Sequence, residues 1–385
     1  MKHNPYNIGT KDYFYRSFYK NNVTGLISDK IYDLLEGGLT INREYFKRHR
    51  RRNKLIIRDE TLFNEVSVVP HEEVLPSYWR DLMKVKPLSV KTTFDDFVEG
   101  LRESMLKFIY ENWDSNKFHF MLHSSGWDSR TMSAILRVAY ENLGAEAFGN
   151  FVFVCWGDEV PVFKKIMERK GWKKINYITL PHHDDAFYSY FFDFKKLYKY
   201  LNGTSSYPLN EIYWALDVMR GDERIPDNDD KIEMWFASHA NRVFHEVIGQ
   251  KENIIQEYSD KNFYDISSNY YAAMPCKVVI PIINYYTMKH IMESDFKIEK
   301  GIKKRISRKL NPELRGLPRI RIPTGQTIPQ KYQVKMMEDY NNSWYAQNLK
   351  PEATPYTLIR HNNWWLHWSA AALIDHAISK GINVE

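Results

Sequence analysis

The segment Ser124-Ser125-Gly126-Trp127-Asp128-Ser129 decides the fold prediction, because it joins two contrasting sequence patterns. A short apolar run, Phe118 to Leu122, precedes it, and a helical repeat follows it. The repeat places apolar residues three and four positions apart, at Met132, Ile135, Leu136, Ala139 and Leu143. The segment therefore predicts a turn from a buried strand into a helix. The first N–H groups of a helix lack partners and attract anions, so the turn also predicts a phosphate site.

Apolar runs and helical patterns alternate after this turn. Buried strands are predicted at 151–156, 176–180 and 232–237, and helices at 162–167 and 211–219. Such alternation implies an α/β fold, in which helices flank a parallel sheet joined by right-handed crossovers. Ligands of these sheets bind at the carboxyl ends of the strands. The Ser124–Ser129 turn and Gly157 both follow predicted strands at that edge.

The region before residue 93 has a different pattern, made of short strands, turns and several prolines. Thr93 and Asp96 have the spacing of a capping box, which predicts the start of a helix. A chain of 385 residues is long enough for about two domains. We therefore predict a small α+β domain at 1–92 and a larger α/β domain at 93–385.

Composition places the chain among ordinary globular proteins, with a mild net charge of +6. No apolar run approaches the roughly 18 residues of a membrane helix, so no membrane is expected as a partner. The N-terminus lacks the apolar core of a signal peptide. Cys155 and Cys276 are too few for a disulfide framework, which predicts a reducing, cytoplasmic location.

The turn resembles the S-G-G-x-D-S pyrophosphate loop of N-type ATP pyrophosphatases, with Ser125 in the place of the family's first glycine. Further matches occur in the order found in the synthetase domain of asparagine synthetase and in β-lactam synthetase-like members. They lie at 154–157, 279–284, 301–308 and 321–329. The resemblance implies an adenine nucleotide alpha-hydrolase-like fold that binds ATP and Mg²⁺. The alternative is an ordinary serine-rich turn with a capping aspartate.

The resemblance also implies roles for individual residues. ATP phosphates would lie on the turn, where Asp128 would hold Mg²⁺, and the backbone of Cys155 and Gly157 would contact the adenine. The nucleotide-binding set is Ser124, Ser125, Gly126, Trp127, Asp128, Ser129, Cys155, Gly157 and Arg242. Asn241 stands where the family has a second metal-binding acid, and Pro323 stands where it has a catalytic lysine. The predicted catalytic residues are Asp128, Lys304, Arg321 and His239, with Lys303 as an alternative source of the missing positive charge.

Asp158 and Glu159 allow two interpretations. They either assist a metal or a substrate amine, or supply negative charge at the N-terminus of the next helix, which we favour. Part of the chain's positive charge lies in clusters at 47–54 and 300–309. A solvated face is the favoured interpretation of the first cluster, and nucleic-acid binding is the alternative.

The family's glutaminase half begins with a nucleophilic cysteine after the initiator Met, where this chain has Lys2. Region 1–92 is accordingly expected to be a degenerate, structural remnant. The predicted function is an ATP-dependent carbon–nitrogen ligase, which activates a small carboxylate as acyl-AMP, releases pyrophosphate and forms an amide with ammonia or an amine. The alternatives are a tRNA- or DNA-modifying ATP pyrophosphatase and a non-catalytic nucleotide-binding protein. The oligomeric state stays open.

Overall fold

The computed structural model describes most of the chain from residue 18 to residue 383. The described residues are 18–28, 31–44, 61–69, 85, 88, 91–172, 175–180, 216, 219–235, 237, 276–279, 281–282, 284–296, 301–320, 330–349 and 363–383. For residues 156, 278, 330, 332–333, 336 and 363–369 the description covers the backbone alone. The basic cluster at 47–54 lies outside the described residues, so its role stays a prediction.

The first part of the chain contributes a small antiparallel sheet of three strands, in the order β2-β1-β3. Its strands are β1 Tyr19–Asn21, β2 Ile27–Ser28 and β3 Val66–Val68. Its buried side chains join the same hydrophobic core as the rest of the described chain, and the ring of Tyr32 lies 5.1 Å from that of His376. The division into domains at residue 92 stays a prediction.

A parallel sheet of five strands forms the centre of the larger region. The strands are β4 Phe118–Leu122, β5 Phe151–Trp156, β6 Asn176–Leu180, β7 Ile232–Trp235 and β8 Lys277–Val279. Every residue of β4 and β7 is buried, as expected for strands covered on both faces. The predicted α/β class is therefore confirmed, although the fourth of these strands ends at Trp235 rather than at residue 237.

The strand order of this sheet is β6-β5-β4-β7-β8. The chain therefore runs outward from β4 in both directions, through β5 and β6 on one side and through β7 and β8 on the other. Such a reversal opens a crevice at the carboxyl end of the strand where it occurs. The Ser124–Ser129 turn follows the end of β4 after a single residue, His123. The topology therefore places this turn in the crevice.

Eight α-helices are described around the sheets. They are α1 Phe94–Asn112, α2 Trp127–Leu143, α3 Val160–Arg169, α4 Tyr285–Glu293, α5 Ile302–Leu310, α6 Gln330–Asn341, α7 Trp344–Leu349 and α8 Asn363–Ser379. The predicted capping box at the start of α1 is confirmed, since the Thr93 and Asp96 side chains bond each other's backbone N–H groups. None of the described helices has the length and apolar character needed to cross a bilayer.

The position of α1 against α4 depends on Gly100. A Cβ atom at this residue would overlap the ring of His290, whose Nε2 lies 2.9 Å from the carbonyl oxygen of Phe97. The absence of a side chain thus permits the two helices to approach closely. On α2, Leu143 departs from the sequence expectation, because it ends the apolar stripe but is 37% exposed.

Candidate functional site

The Ser124–Ser129 turn is held in shape by its own hydroxyl groups. The Ser129 hydroxyl oxygen accepts the Ser124 N–H at 3.1 Å and lies 3.0 Å from the Ser124 hydroxyl oxygen. The Ser124 hydroxyl in turn accepts the Gly126 N–H at 3.1 Å. These local bonds stop the chain from continuing β4 and direct it into α2, with Gly126 at the N-cap.

Three backbone donors at this turn are available to a ligand. Among the described residues, the N–H groups of Trp127, Asp128 and Ser129 have no acceptor, whereas the Arg130 N–H begins the helical ladder on Gly126. They belong to the first turn of a helix of 17 residues, where the dipole favours negative charge. The donor set therefore fits a phosphate group.

Glu159 already accepts a hydrogen bond from a further backbone donor of the turn, the N–H of Ser125. Its Oε1 accepts both the backbone N–H of Ser125, at 3.0 Å, and its hydroxyl, at 2.8 Å. The Ser125 hydroxyl oxygen also accepts the N–H of Ile320 at 2.9 Å. Burial raises the pKa of the Glu159 carboxyl, and the bonds from Ser125 partly oppose this rise. A negatively charged oxygen thus already accepts two donors of the turn.

These contacts add to the interpretation of Glu159 made from the sequence. The residue does precede α3, as expected, but its side chain makes no capping bond to that helix. It reaches back to the turn after β4 instead. This link required the spatial adjacency of β4 and β5, which a linear pattern does not contain.

Asp128 faces a lysine across the helix pair α2 and α5. Its Oδ2 accepts a bond of 2.5 Å from Lys303 Nζ. Burial raises the pKa of Asp128 and lowers that of Lys303, and the mutual attraction of the two groups opposes both shifts. Arg319 also acts electrostatically on this pair. The site thus combines a desolvated carboxylate with cations beside three free N–H donors.

Arg130 fixes residues 311–320 against α2. Its buried guanidinium donates to the carbonyl oxygens of Leu317, at 3.2 Å, and Pro318, at 2.5 Å. Asn311 donates to the Arg130 carbonyl oxygen at 3.1 Å. These bonds keep Arg319 and Ile320 next to the turn.

The other residues predicted for the site fall into two groups. Cys155 and Gly157 lie at the carboxyl end of β5, next to the turn, and Cys155 is buried. Lys304 lies next to Lys303 on α5, but it lines a cavity beside Trp127. Asn241, Arg242, His239, Arg321 and Pro323 lie outside the described residues, and their roles stay predictions.

Magnesium ligands at the turn would come mainly from carboxylates and phosphate oxygens. The part of the chain that the structure describes contains no cluster of three potential metal-ligating residues. Two carboxylates lie at the turn: Asp128 belongs to it, and Glu159 accepts bonds from Ser125. Mg²⁺ commonly uses one or two carboxylates together with substrate phosphates, so this donor set fits a metal that enters with a nucleotide.

No protein-family model matches the chain, and no curated protein matches it. The solved structures that match it include the U34-tRNA thiolase NcsA from Methanococcus maripaludis with its 4Fe-4S cluster. The match has a TM-score of 0.32 and 14% sequence identity, and it covers 71% of this chain and 80% of the thiolase chain. A likeness this distant assigns no function.

Proposed function

We propose that this protein is an ATP-dependent enzyme that cleaves ATP between its α and β phosphates and transfers AMP to an oxygen atom of a second substrate. The observation that carries the proposal is the turn itself. It lies at the point where the strand order reverses, and it presents three N–H donors without acceptors among the described residues. Both features are what a triphosphate site in an α/β sheet requires.

The residues around the turn have distinct proposed roles. The N–H groups of Trp127, Asp128 and Ser129 would bind phosphate oxygens, and Lys303 and Arg319 would stabilise their negative charge. Asp128 would hold Mg²⁺, which supplies charge neutralisation to the phosphates when it is bound. Glu159 would leave Ser125, whose hydroxyl and N–H would then add two donors.

The finer proposal is an amide synthetase that activates a small carboxylate and uses ammonia or an amine. The chain has two cysteines, Cys155 and Cys276; neither forms a disulfide, and both are buried. Burial raises the pKa of the Cys276 thiol to about 12. Glutamine hydrolysis needs an accessible thiolate nucleophile, and this chain does not offer one. Two cysteines without a disulfide also support the cytoplasm as the proposed location.

A second candidate function is modification of a nucleic acid by the same adenylation chemistry. The observation that favours it is the concentration of exposed cations beside the turn, on α5 and in the residues after it, including Lys304, Arg308, Arg315 and Arg319. Cations grouped in this way bind phosphate backbones, with an affinity that falls steeply as salt rises.

Product analysis tests the proposal and separates the two candidates. The protein is incubated with ATP, Mg²⁺ and either a panel of carboxylic acids with ammonia, or total RNA. The expected products are AMP and pyrophosphate, formed in dependence on one of the two additions. ADP and phosphate as the only nucleotide products would exclude the proposed chemistry. Dependence on RNA would replace the amide synthetase with the second candidate.

A further inference from the structure

A cavity beside the Ser124–Ser129 turn carries positive charge that no acid in its walls balances. It has a volume of about 280 Å³ and lies between the start of α2, α5 and residues 311–319. Its lining contains five cationic side chains and no aspartate or glutamate. The cations are Arg130, Lys304, Arg308, Arg315 and Arg319.

One of these cations has a structural role, and the other four are available. Arg130 is buried and already bonded to the carbonyl oxygens of Leu317 and Pro318. Among the described residues, the side chains of the remaining four have no carboxylate or other hydrogen-bond acceptor. Their neighbours on α5 differ, since Lys303 pairs with Asp128 and Lys309 pairs with Asp95 at 2.9 Å. Like charges around one cavity repel, and an anion bound there relieves that repulsion.

Trp127 connects this cavity to the phosphate site. Its ring forms part of the cavity wall, with the Arg130 guanidinium 4.9 Å and the Arg308 guanidinium 6.0 Å from the ring centre. Its backbone N–H is one of the three free donors of the turn. Arg319 also belongs to both sites, because it lines the cavity and favours the charged forms of Asp128 and Glu159. A ligand in the cavity would therefore lie beside a nucleotide on the turn.

We infer that this cavity binds a phosphate group carried by the second substrate of the reaction. The inference rests on the proposed function and adds the chemical class of that substrate. A single carboxylate would balance one of the four available cations, whereas a phosphate monoester carries nearly two charges and a strand of phosphodiesters carries more. Guanidinium groups also match the geometry of phosphate oxygens. The volume lies near the lower limit for small-molecule pockets, which suits one phosphorylated sugar or one nucleotide unit.

Two probes distinguish the sources of such a phosphate: ribose 5-phosphate, a small monoester, and hexauridylate, a single-stranded phosphodiester. Binding is measured by calorimetry on the full chain, with and without saturating α,β-methylene-ATP and Mg²⁺. We expect one of the probes to bind, and Arg308→Gln and Arg315→Gln to weaken it by about tenfold or more. Lys309→Gln removes one positive charge from α5, the helix that also carries Arg308, but at a position outside the cavity. It is expected to change the affinity for the probe less than about twofold. Arg308, Arg315 and Lys309 are all exposed, so the variants should fold normally.

The inference is overturned if neither probe binds, or if the three variants bind the probe equally well. The nucleotide titration keeps this outcome separate from the proposed function. A probe that binds through Arg308 to a protein that ignores the ATP analogue would leave the cavity site standing and remove the ATP chemistry. If the ATP analogue binds and neither probe does, the ATP site stands and the phosphate site in the cavity is removed.

Discussion

Both ends of the parallel sheet carry buried charged side chains, but the two ends differ in how these charges are paired. At the amino-terminal end, the Glu233 side chain is 1% exposed and lies 3.0 Å from Lys117 Nζ and 3.4 Å from Lys277 Nζ. At the carboxyl-terminal end, Asp128 has one lysine partner and Glu159 has hydrogen bonds from a serine. Burial raises the pKa of both carboxyls at this second end.

The buried His119 adds to the contrast between the two ends of the sheet. At the amino-terminal end, the Trp235 indole N–H donates to His119 Nδ1 at 2.9 Å, which places the proton of the neutral ring on Nε2, 2.6 Å from the Asp114 carbonyl oxygen. Burial lowers the pKa of His119 and keeps the ring neutral. This end therefore pairs its acid with two lysines, although Glu233 Oε2 has no hydrogen-bond partner among the described residues. The other end keeps N–H donors and cations without acceptors among the described residues. The difference agrees with the proposed function, in which the first end stabilises the fold and the second binds ATP.

The largest expected effect follows from removing the charge of Asp128. Asp128→Asn keeps the size of the side chain but weakens its hold on both Mg²⁺ and Lys303. We expect the rate of pyrophosphate release to fall by about 1,000-fold, at the upper end for the loss of one electrostatic contact to a reacting group. Circular dichroism should show an unchanged fold. Turnover equal to that of the wild type would remove Asp128 from the active site.

The matching substitution at the amino-terminal end should lower stability and leave turnover unchanged. Glu233→Gln leaves two lysines near a buried site without their acid. We expect the free energy of unfolding to fall by about 3 kcal/mol, measured by urea denaturation, with turnover per folded molecule unchanged. Glu141→Gln is the control, because Glu141 forms an exposed pair with Arg137 and should change stability by less than about 0.5 kcal/mol. A loss of turnover in folded Glu233→Gln protein would contradict the assignment of stability to one end of the sheet and of catalysis to the other.

A smaller effect is expected where a carboxylate competes with the nucleotide. Glu159→Gln removes negative charge from the turn and retains an oxygen that can accept from Ser125. We expect Mg·ATP to bind about fivefold more tightly, the consequence of removing one like charge of about 1 kcal/mol. Glu168→Gln, near the other end of the helix α3 that Glu159 precedes, is the control, because Glu168 is exposed. Weaker binding in Glu159→Gln would mean that Glu159 assists the metal instead of competing with phosphate.

The smallest effect concerns pH and stability. Because burial raises the pKa of Glu159 above its ordinary value of 4.5, the folded protein binds this proton more tightly than the unfolded chain. The resulting stabilisation is complete below pH 4.5 and is lost as pH rises through the raised pKa. Glu159→Gln should therefore gain stability relative to wild type as pH rises from 4.5 to 7, measured by thermal unfolding at several pH values. A difference that stays constant over this range would show that the carboxyl is not desolvated.

The sequence predicted those features that depend on local pattern. The strand at 118–122, the turn after it and the capping box of α1 each depend on a short stretch of sequence. The hydrophobic period or polar spacing of each stretch predicts a single local structure. The α/β class followed from their alternation. The order of the strands required pairing between distant segments, and no local pattern contains it.

The partners within the site were less accessible to prediction. The sequence offered Lys303 and Lys304 as equivalent, and the catalytic assignment went to Lys304, whereas Lys303 is the one bonded to Asp128. Ile302 and Ile306 on α5 are buried, and Lys303 lies closer than Lys304 to this inner face at about 100° per residue. The helical period thus contained the signal. The contact between Ser125 and Glu159 had none, because it depends on two neighbouring strands.

The most direct test of the central claim is a crystal structure of the protein with α,β-methylene-ATP and Mg²⁺, an analogue that cannot be cleaved at the proposed bond. The account predicts phosphate oxygens within hydrogen-bond distance of the N–H groups of Trp127, Asp128 and Ser129, with Glu159 displaced from Ser125. A nucleotide bound elsewhere, or a turn still occupied by Glu159 at saturating nucleotide, would contradict it.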